Sequence, residues 1–353
     1  MGITTNTDSA YLSWVREHTD TQWWHDSADT EELAAGLERG AVGVTTNPLL
    51  SSIALKQNRV LWGPAIEEAL ADARARKLPA ERKAEALMRI VVTKAAAQLM
   101  PEYEASKGES GLVCAQVNPL RAGERDSMQA MAGRLHGWAP NISVKLPATA
   151  AGLDVLEECA AQGIGTTATV GFTVPQVLAV AERHRAGVAR AKAAGIAPGK
   201  CFAVIMIGRL DDYLREVALD NRAEATEADI RQAGLAVTKR AYAIYREKNY
   251  DAVLMVAALR GPWHLTELAG AEVVMSIHPS HQHVFVSQDF AREERIHQPV
   301  AEEVLGRLGK MPEFVRAYEP EGMKPNEFVG FGATQRTLSQ FCELGWKPME
   351  NFQ

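Results

Sequence analysis

Eight short, mostly apolar runs alternate with longer stretches of helical periodicity over roughly the first 280 residues of the chain. Continuous apolar runs of this length are typical of parallel strands that helices cover. Eight such strands with helices between them predict an α/β fold, a closed (β/α)8 barrel of the TIM type. The predicted strands are residues 22–26, 43–47, 112–117, 142–147, 165–170, 201–207, 252–258 and 272–277.

Helix signals fill the intervals between these runs. Thr173 with Gln176 has the pattern of a capping box, which predicts a helix that runs to about Gly187. Thr226 with Asp229 is a weaker version of the same pattern and predicts another helix start. Further helices are predicted over residues 30–39, 80–99 and 151–162.

An open, doubly wound sheet is the main alternative fold for alternating strands and helices. That fold usually binds a nucleotide through a glycine-rich loop after one of its strands. No GxGxxG or Walker loop follows any of the predicted strands. The sequence therefore favours the closed barrel.

The pattern changes after residue 284, where helices and turns replace the alternation. We predict one domain over residues 1–353, with the barrel at 20–283 and a helical extension at 284–353 packed on it. A short helix is expected within the first 20 or so residues. The segment GFGATQRTL (330–338), with Trp346 further on, predicts a helix start that docks the tail near the barrel mouth.

Charge and cysteine content restrict the partners and the compartment. The formal charge is −6 and no Lys/Arg run is present, which argues against nucleic acid and acidic membranes as partners. The four cysteines are scattered, with no CxxC pair, as expected in a reducing compartment. Neither a secretory signal nor an apolar run of ~18 residues is recognisable. A cytoplasmic enzyme is therefore expected.

Polar side chains follow or end most of the predicted strands. Catalytic groups of barrel enzymes lie at the carboxyl ends of the strands. Lys145 stands out, because it interrupts the apolar run ISVKLP and lysine is rarely buried unless it is paired or used. Desolvation is expected to leave a nucleophilic amine there. The alternative is a lysine that extends into solvent or pairs with a structural carboxylate. The strand-end candidates are Asp26, Asn47, Gln116, Lys145, Thr167, Thr169, Arg209 and Arg260.

Four sequence motifs carry a family resemblance: GVTTNP (43–48), VKLPAT (144–149), GIGTTATVGFTVPQV (163–177) and IGRLDD (207–212). In this order and spacing they resemble the transaldolase family of class I aldolases, over about residues 20 to 280. The resemblance implies transfer of a dihydroxyacetone unit between phosphorylated sugars, as in the pentose phosphate pathway. It also implies imine chemistry without a cofactor or metal, and a homodimer.

The resemblance implies roles for single residues. Lys145 matches the Schiff-base lysine, and Asp26 matches the aspartate that moves a proton during C–C cleavage. Asn47 matches the asparagine that holds a substrate hydroxyl, and Thr169 the threonine that helps to position the catalytic water. Two arginines match the phosphate pocket: Arg209 as the main one and Arg260 as the second.

The sequence departs from the family pattern around these residues. Gln116 replaces a glutamate that works with a water during imine formation and hydrolysis, and a neutral amide cannot act as that base. Thr167 stands where the family has an asparagine next to the imine. Val204 and Met206 replace a serine and an aromatic residue, and Ala258 replaces a serine. We therefore expect imine chemistry with an altered substrate site, although Met206 also suits a role as core filler.

Two alternative functions remain open from the sequence. Gln116 resembles the smaller fructose-6-phosphate aldolase branch, which releases free dihydroxyacetone, but this chain is longer and has Met206 in place of an aromatic hydroxyl. The other alternative is a metal-dependent hydrolase or isomerase that uses His278, His281 and His283 while Lys145 is structural. No carboxylate or cysteine close in sequence completes that metal site. His25 is expected on the opposite face of its strand from Asp26, where it packs or forms hydrogen bonds.

Overall fold

A computed structural model describes residues 10–353 of the chain. Eight parallel strands form a closed barrel in the order of the sequence, so the predicted barrel fold is confirmed and the open sheet is excluded. Each strand lies within the run predicted for it. The strands are β1 Gln22–His25, β2 Gly43–Val44, β3 Leu112–Gln116, β4 Ile142–Pro147, β5 Thr166–Thr169, β6 Cys201–Met206, β7 Val253–Ala257 and β8 Val273–Ile277.

Helices cover the outside of the barrel and follow β8. The predicted helices are present. The helix predicted over residues 80–99 extends to Ala105, and the one predicted to run from Thr173 to about Gly187 extends to Ala193. The helices are α1 Ala10–His18, α2 Thr30–Glu38, α3 Pro48–Gln57, α4 Arg59–Ala75, α5 Ala80–Ala105, α6 Arg125–His136, α7 Ala150–Ala161, α8 Val174–Ala193, α9 Ile207–Asp220, α10 Glu227–Lys248, α11 Trp263–Thr266, α12 Pro279–Ser287, α13 Glu302–Leu308, α14 Pro312–Tyr318, α15 Gly332–Gln340 and α16 Lys347–Glu350.

The two predicted caps differ in their hydrogen bonds. At the start of α10, Thr226 and Asp229 form the full reciprocal capping box. At the start of α8, the Thr173 side chain accepts from the backbone N–H of Gln176, but the Gln176 side chain accepts from the backbone N–H of Phe172 instead. The signal at Thr226 is therefore the stronger one, the reverse of the prediction.

Two large aromatic side chains meet inside the barrel. The rings of Trp24 on β1 and Phe202 on β6 meet edge to face, with centroids 4.8 Å apart. Because β1 and β6 are not neighbours, these rings meet through the interior. A Cβ added at Gly43 would lie 2.5 Å from the Trp24 ring, so β2 passes the indole where only glycine fits.

The chain after β8 packs back onto the barrel end. Phe331 is fully buried, and its ring lies 6.5 Å from Phe172 after β5 and 5.2 Å from Tyr213 on α9. A six-residue π-helical stretch, Phe341–Trp346, continues α15. Helix α15 starts at Gly332, within the segment where the sequence predicts a helix start.

The first helix and the cysteines can be compared with their predictions. Helix α1 precedes β1, as predicted, while residues 1–9 lie outside the described part of the chain. All four cysteines are buried and free. Within residues 10–353, no helix is long and apolar enough to cross a membrane.

Candidate active site

Three of the predicted site residues lie side by side on neighbouring strands. Gln116 on β3 is in register with Lys145 on β4, which is in register with Thr167 on β5. In-register residues of parallel strands point to the same face of the sheet. Thr167 is also in register with Phe202, whose ring lies in the interior. The three side chains therefore point into the barrel, near its carboxyl end.

Lys145 is buried, with 6% of its surface exposed. Its Nζ donates a hydrogen bond to the backbone oxygen of Thr46, at 3.1 Å, across the interior from β4 to the end of β2. No carboxylate among residues 10–353 lies within 4.0 Å of this amine. The alternative of a solvated or ion-paired structural lysine therefore does not describe Lys145.

Asp26 follows β1 directly and is half-buried. Its Oδ1 accepts a hydrogen bond of 2.8 Å from the Thr45 hydroxyl, which also lies 2.6 Å from the Ser276 hydroxyl. These contacts join the ends of β1, β2 and β8. Burial raises the pKa of the Cys114 thiol, while the positive charge of Lys145 lowers it and the negative charge of Asp26 raises it. Lys145 and Asp26 therefore both lie close enough to Cys114 to influence its thiol.

Asn47 is the N-cap of α3, three residues beyond β2. Its Oδ1 accepts from the backbone N–H of Leu50 at 3.0 Å. The amide nitrogen makes no hydrogen bond within the described chain, so the side chain is fixed by its oxygen and presents its N–H groups as donors.

Two buried side-chain atoms near Lys145 have no hydrogen-bond partner among residues 10–353: Oε1 of Gln116 and Oγ1 of Thr169. Thr167, in contrast, is satisfied, because its hydroxyl lies 2.7 Å from the Ser143 hydroxyl and accepts from the Cys114 thiol at 3.5 Å. Unpaired buried polar atoms are rare in folded proteins and are most easily explained by a ligand or a water molecule.

Arg209 lies in the first turn of α9 and not on a strand, because β6 runs into α9 without a loop. Its Nη1 donates to Oε1 of Gln340 and, at 3.5 Å, to the hydroxyl of Thr337, both on α15. Burial lowers the pKa of the Arg209 guanidinium, and the charge of Arg260 lowers it further. Met206, the last residue of β6, is the N-cap of α9 and offers no side-chain cap.

Arg260 is exposed and lies in the loop after β7. Its Nε and Nη2 contact Oδ2 of Asp212 at 2.9 and 2.7 Å. Its backbone N–H donates to Nδ1 of His264, whose Nε2 lies 3.0 Å from Asp211. Helix α9 therefore carries Arg209 and also the two carboxylates that fix the Arg260 loop.

Two residues that follow strands adopt the left-handed backbone conformation, which side chains other than glycine rarely occupy. They are Val170 after β5, with φ of 57°, and Ala258 after β7, with φ of 59°. Such positions cluster at functional sites. Ala258 is one of the positions at which the sequence differs from the family pattern. Val204, another such position, is buried within β6.

The three histidines after β8 differ in their surroundings and share no common partner among residues 10–353. Nδ1 of His278 caps the start of α12 through the N–H of Ser280, and Nε2 of His281 lies 3.0 Å from the backbone oxygen of Leu259. His283 is exposed. Within residues 10–353, no group of three or more His, Cys, Asp or Glu side chains is arranged to hold a metal ion.

The structure is therefore that of a (β/α)8 barrel protein with a buried lysine that has no carboxylate partner among residues 10–353, and with Asp26 directly after β1. A family model described as transaldolase/fructose-6-phosphate aldolase matches residues 23–312. The chain belongs to this family.

Curated relatives support the assignment. Transaldolase 1 of Streptomyces avermitilis is 30% identical over 235 residues, which are 64% of this chain and 61% of that protein. Transaldolase of Mycobacterium tuberculosis is 30% identical over 241 residues (65% and 62%), and that of Thermobifida fusca is 29% identical over 236 residues (64% and 62%). The alignments therefore span less than two thirds of the length of these relatives.

Proposed function

We propose that the chain transfers a dihydroxyacetone unit between phosphorylated sugars through a Schiff base on Lys145. The observation that carries the proposal is the state of this amine, which is buried, bound only to a carbonyl oxygen and free of any carboxylate partner within the described chain. An amine placed in this way is the nucleophile that attack on a ketone requires.

The reaction follows from the groups around the amine. Nζ of Lys145 attacks the donor ketone, water leaves, and a protonated imine forms. Asp26 takes the proton of the C4 hydroxyl as the C3–C4 bond breaks, and the bond electrons pass to the imine as an enamine. The aldehyde product leaves. The enamine then adds to an acceptor aldehyde, Asp26 returns the proton to the new hydroxyl, and hydrolysis of the imine restores the lysine.

Three neighbouring side chains have supporting roles in this proposal. The N–H groups of Asn47 donate to a substrate hydroxyl, because its oxygen already caps α3. The unpartnered Thr169 hydroxyl and Gln116 amide oxygen position the water that is lost and regained at the imine. Thr167 borders the imine, and its hydrogen bond to Ser143 keeps it in place.

In this proposal, Arg209 and Arg260 bind the phosphate groups of the sugars. Arg209 stands in the first turn of α9, whose start has no side-chain cap, so that free backbone N–H groups and a guanidinium meet there. Arg260 adds a second positive charge from the β7 loop. Charge-assisted hydrogen bonds to a terminal phosphate use remote binding energy to orient the reacting carbons.

A second candidate is an aldolase that releases free dihydroxyacetone. It is favoured by Gln116, whose neutral side chain stands beside Lys145 where the transferase pattern has a glutamate. In this reaction the enamine is protonated and the imine is hydrolysed without an acceptor.

We further propose that residues 284–353 form one domain with the barrel at 20–283, and that the protein is a cytoplasmic homodimer.

Product analysis distinguishes these candidates. Fructose 6-phosphate is supplied with and without an aldose phosphate acceptor, and glyceraldehyde 3-phosphate and dihydroxyacetone are quantified. Acceptor-dependent release of glyceraldehyde 3-phosphate without free dihydroxyacetone supports the transferase. Equal amounts of both products without acceptor support the aldolase. Activity lost with EDTA and regained with a divalent metal would contradict both and favour the histidine-based alternative.

A further inference from the structure

The C-terminal chain crosses the carboxyl end of the barrel. The crossing segment, defined as residues 332–346, comprises α15 and the π-helical stretch. At one end, a Cβ added at Gly332 would lie 2.5 Å from the ring of Tyr213 on α9, after β6. At the other, a Cβ on Gly345 would lie 2.5 Å from the backbone nitrogen of Leu49, after β2. Since β2 and β6 are opposite strands, the segment spans the mouth.

This segment lies beyond residue 312, where the family match ends, and yet it holds the arginine of the proposed phosphate pocket. Gln340 and Thr337 both accept from Nη1 of Arg209, and the guanidinium carbon lies 5.6 Å from the ring centroid of Phe341. π-Helical turns are rare and occur frequently at functional sites. A segment outside the family match therefore contacts the arginine of the proposed phosphate pocket.

The contacts leave a defined edge of the guanidinium available. Within residues 10–353, Nε and Nη2 of Arg209 make no hydrogen bond, so the fork between them can receive two oxygens of one anion. Gln340 holds the opposite nitrogen through a neutral amide, which fixes the orientation of the fork without cancelling its charge. A carboxylate at the same place would neutralise the arginine.

We propose that Gln340 is a positioning residue for the terminal phosphate of the substrate, and that the crossing segment sets the preference for phosphorylated over unphosphorylated sugars. The proposal deepens the proposed function and rests on it for the identity of the sugar. The anion site itself is independent of the lysine chemistry. Thr337 is the weaker of the two contacts and has a secondary role.

Two variants and one matched control test the proposal. Gln340→Ala removes the contact with Nη1, and Gln340→Glu keeps its size but adds a negative charge. Gln335→Ala is the control, because Gln335 is on the same helix and borders the same cavity of about 660 Å³ without a hydrogen bond to Arg209. Binding of inorganic phosphate is measured by equilibrium dialysis, and kcat and KM are measured with fructose 6-phosphate and with fructose.

We expect Gln340→Ala to weaken phosphate binding and raise the KM for fructose 6-phosphate about fivefold, with kcat little changed. Gln340→Glu is expected to weaken both by at least about tenfold, since the new carboxylate pairs with Arg209 and repels phosphate. Gln335→Ala should leave phosphate binding, kcat and KM at the wild-type level. With fructose as substrate, kcat and KM should be unchanged in all three variants. A role in folding alone would not make glutamate worse than alanine.

Three results would overturn the proposal: no phosphate binding by the wild-type protein, a Gln340→Glu protein that binds phosphate as well as the wild type, or equal effects of Gln340→Ala and Gln335→Ala. Failure of the proposed function is visible separately. If the protein forms no imine but binds phosphate in a Gln340-dependent manner, the lysine chemistry is wrong and the anion site stands.

Discussion

The mouth of the barrel is built from two halves that differ in how their side chains are held. The lysine half consists of Gln116, Lys145, Thr167 and Thr169, which lie on β3, β4 and β5 and are at most 6% exposed. The arginine half consists of Arg209 on the first turn of α9 and Arg260 in the β7 loop, which are more exposed.

The difference lies in the supporting contacts. The parallel strand ladder sets the spacing of the lysine half, because Gln116, Lys145 and Thr167 are register partners on adjacent strands. Thr169 follows Thr167 by two residues on β5, where it is in register with Pro147. The arginine half depends on packing between distant parts of the chain, and Arg209 contacts Gln340, 131 residues further on. The geometry of the lysine half is therefore set by the barrel, whereas that of the arginine half depends on segments packed around it.

Replacement of the lysine should have the largest effect. Lys145→Met keeps the length of the apolar stem but removes the amine, and we expect turnover of fructose 6-phosphate to fall by at least about 10³-fold. Initial rates measure the effect, with Ile142→Val, at the start of β4, as the control that retains activity within about tenfold. Substantial turnover by a folded Lys145→Met protein would show that the lysine half is not the reactive one.

Strand β1, which ends directly before Asp26, should be sensitive to acid. Burial is the main cause that lowers the pKa of His25 from 6.5 to about 4, and the positive charges of His278 and Arg39 lower it further. The unfolded chain therefore binds the proton more readily. Stability that is complete above about pH 6.5 is lost as the pH falls towards 4, by about 3 kcal/mol.

The measurement is the free energy of unfolding in urea at pH 7 and pH 4.5 for the wild type and His25→Gln. Glutamine is a neutral partner for Gln282, whose amide group lies 2.9 Å from Nδ1 of His25. We expect His25→Gln to lose about 2 kcal/mol less than the wild type over this pH interval. The same pH dependence in both proteins would show that His25 is not the group responsible.

The arginine half should respond in a substrate-dependent way. Arg209→Ala is expected to lower kcat/KM for fructose 6-phosphate about 100-fold and to leave fructose unaffected. Arg260→Ala should cost only about tenfold, because Arg260 is exposed and already paired with Asp212. Steady-state kinetics with both sugars checks the order. Equal losses with fructose and fructose 6-phosphate would contradict a phosphate role for either arginine.

The lysine half was the more predictable from sequence. A lysine inside an apolar run is a strong local signal, and continuous apolar runs placed all eight strands. Strand β2 is shorter than predicted. Beyond Val44 the backbone N–H of Thr45 still donates to His25 on β1, while the hydroxyls of Thr45 and Thr46 contact Asp26 and the backbone oxygen of Cys114. The orientation of His25 away from the interior, towards Gln282, followed from strand alternation and is confirmed.

The arginine half was predictable only in part. Arg209 was expected at a strand end, whereas β6 passes directly into α9 and places it in a helix. Helices α3 and α4 were not predicted. The helix start near Gly332 and its docking near the mouth were predicted, but no local pattern reveals that Gln340 contacts Arg209, since that contact depends on how the tail folds over the barrel.

Borohydride reduction traps an imine on Lys145 if one forms. The wild-type protein is incubated with fructose 6-phosphate, reduced, digested and analysed by mass spectrometry, with Lys145→Met as the control. We expect one reduced dihydroxyacetone or hexose phosphate adduct on the peptide that contains Lys145, and none in the variant. The trap is repeated with free dihydroxyacetone to cover a different donor sugar. A folded wild-type protein that gives no adduct with either compound, or an adduct on another lysine, would contradict a Schiff base on Lys145.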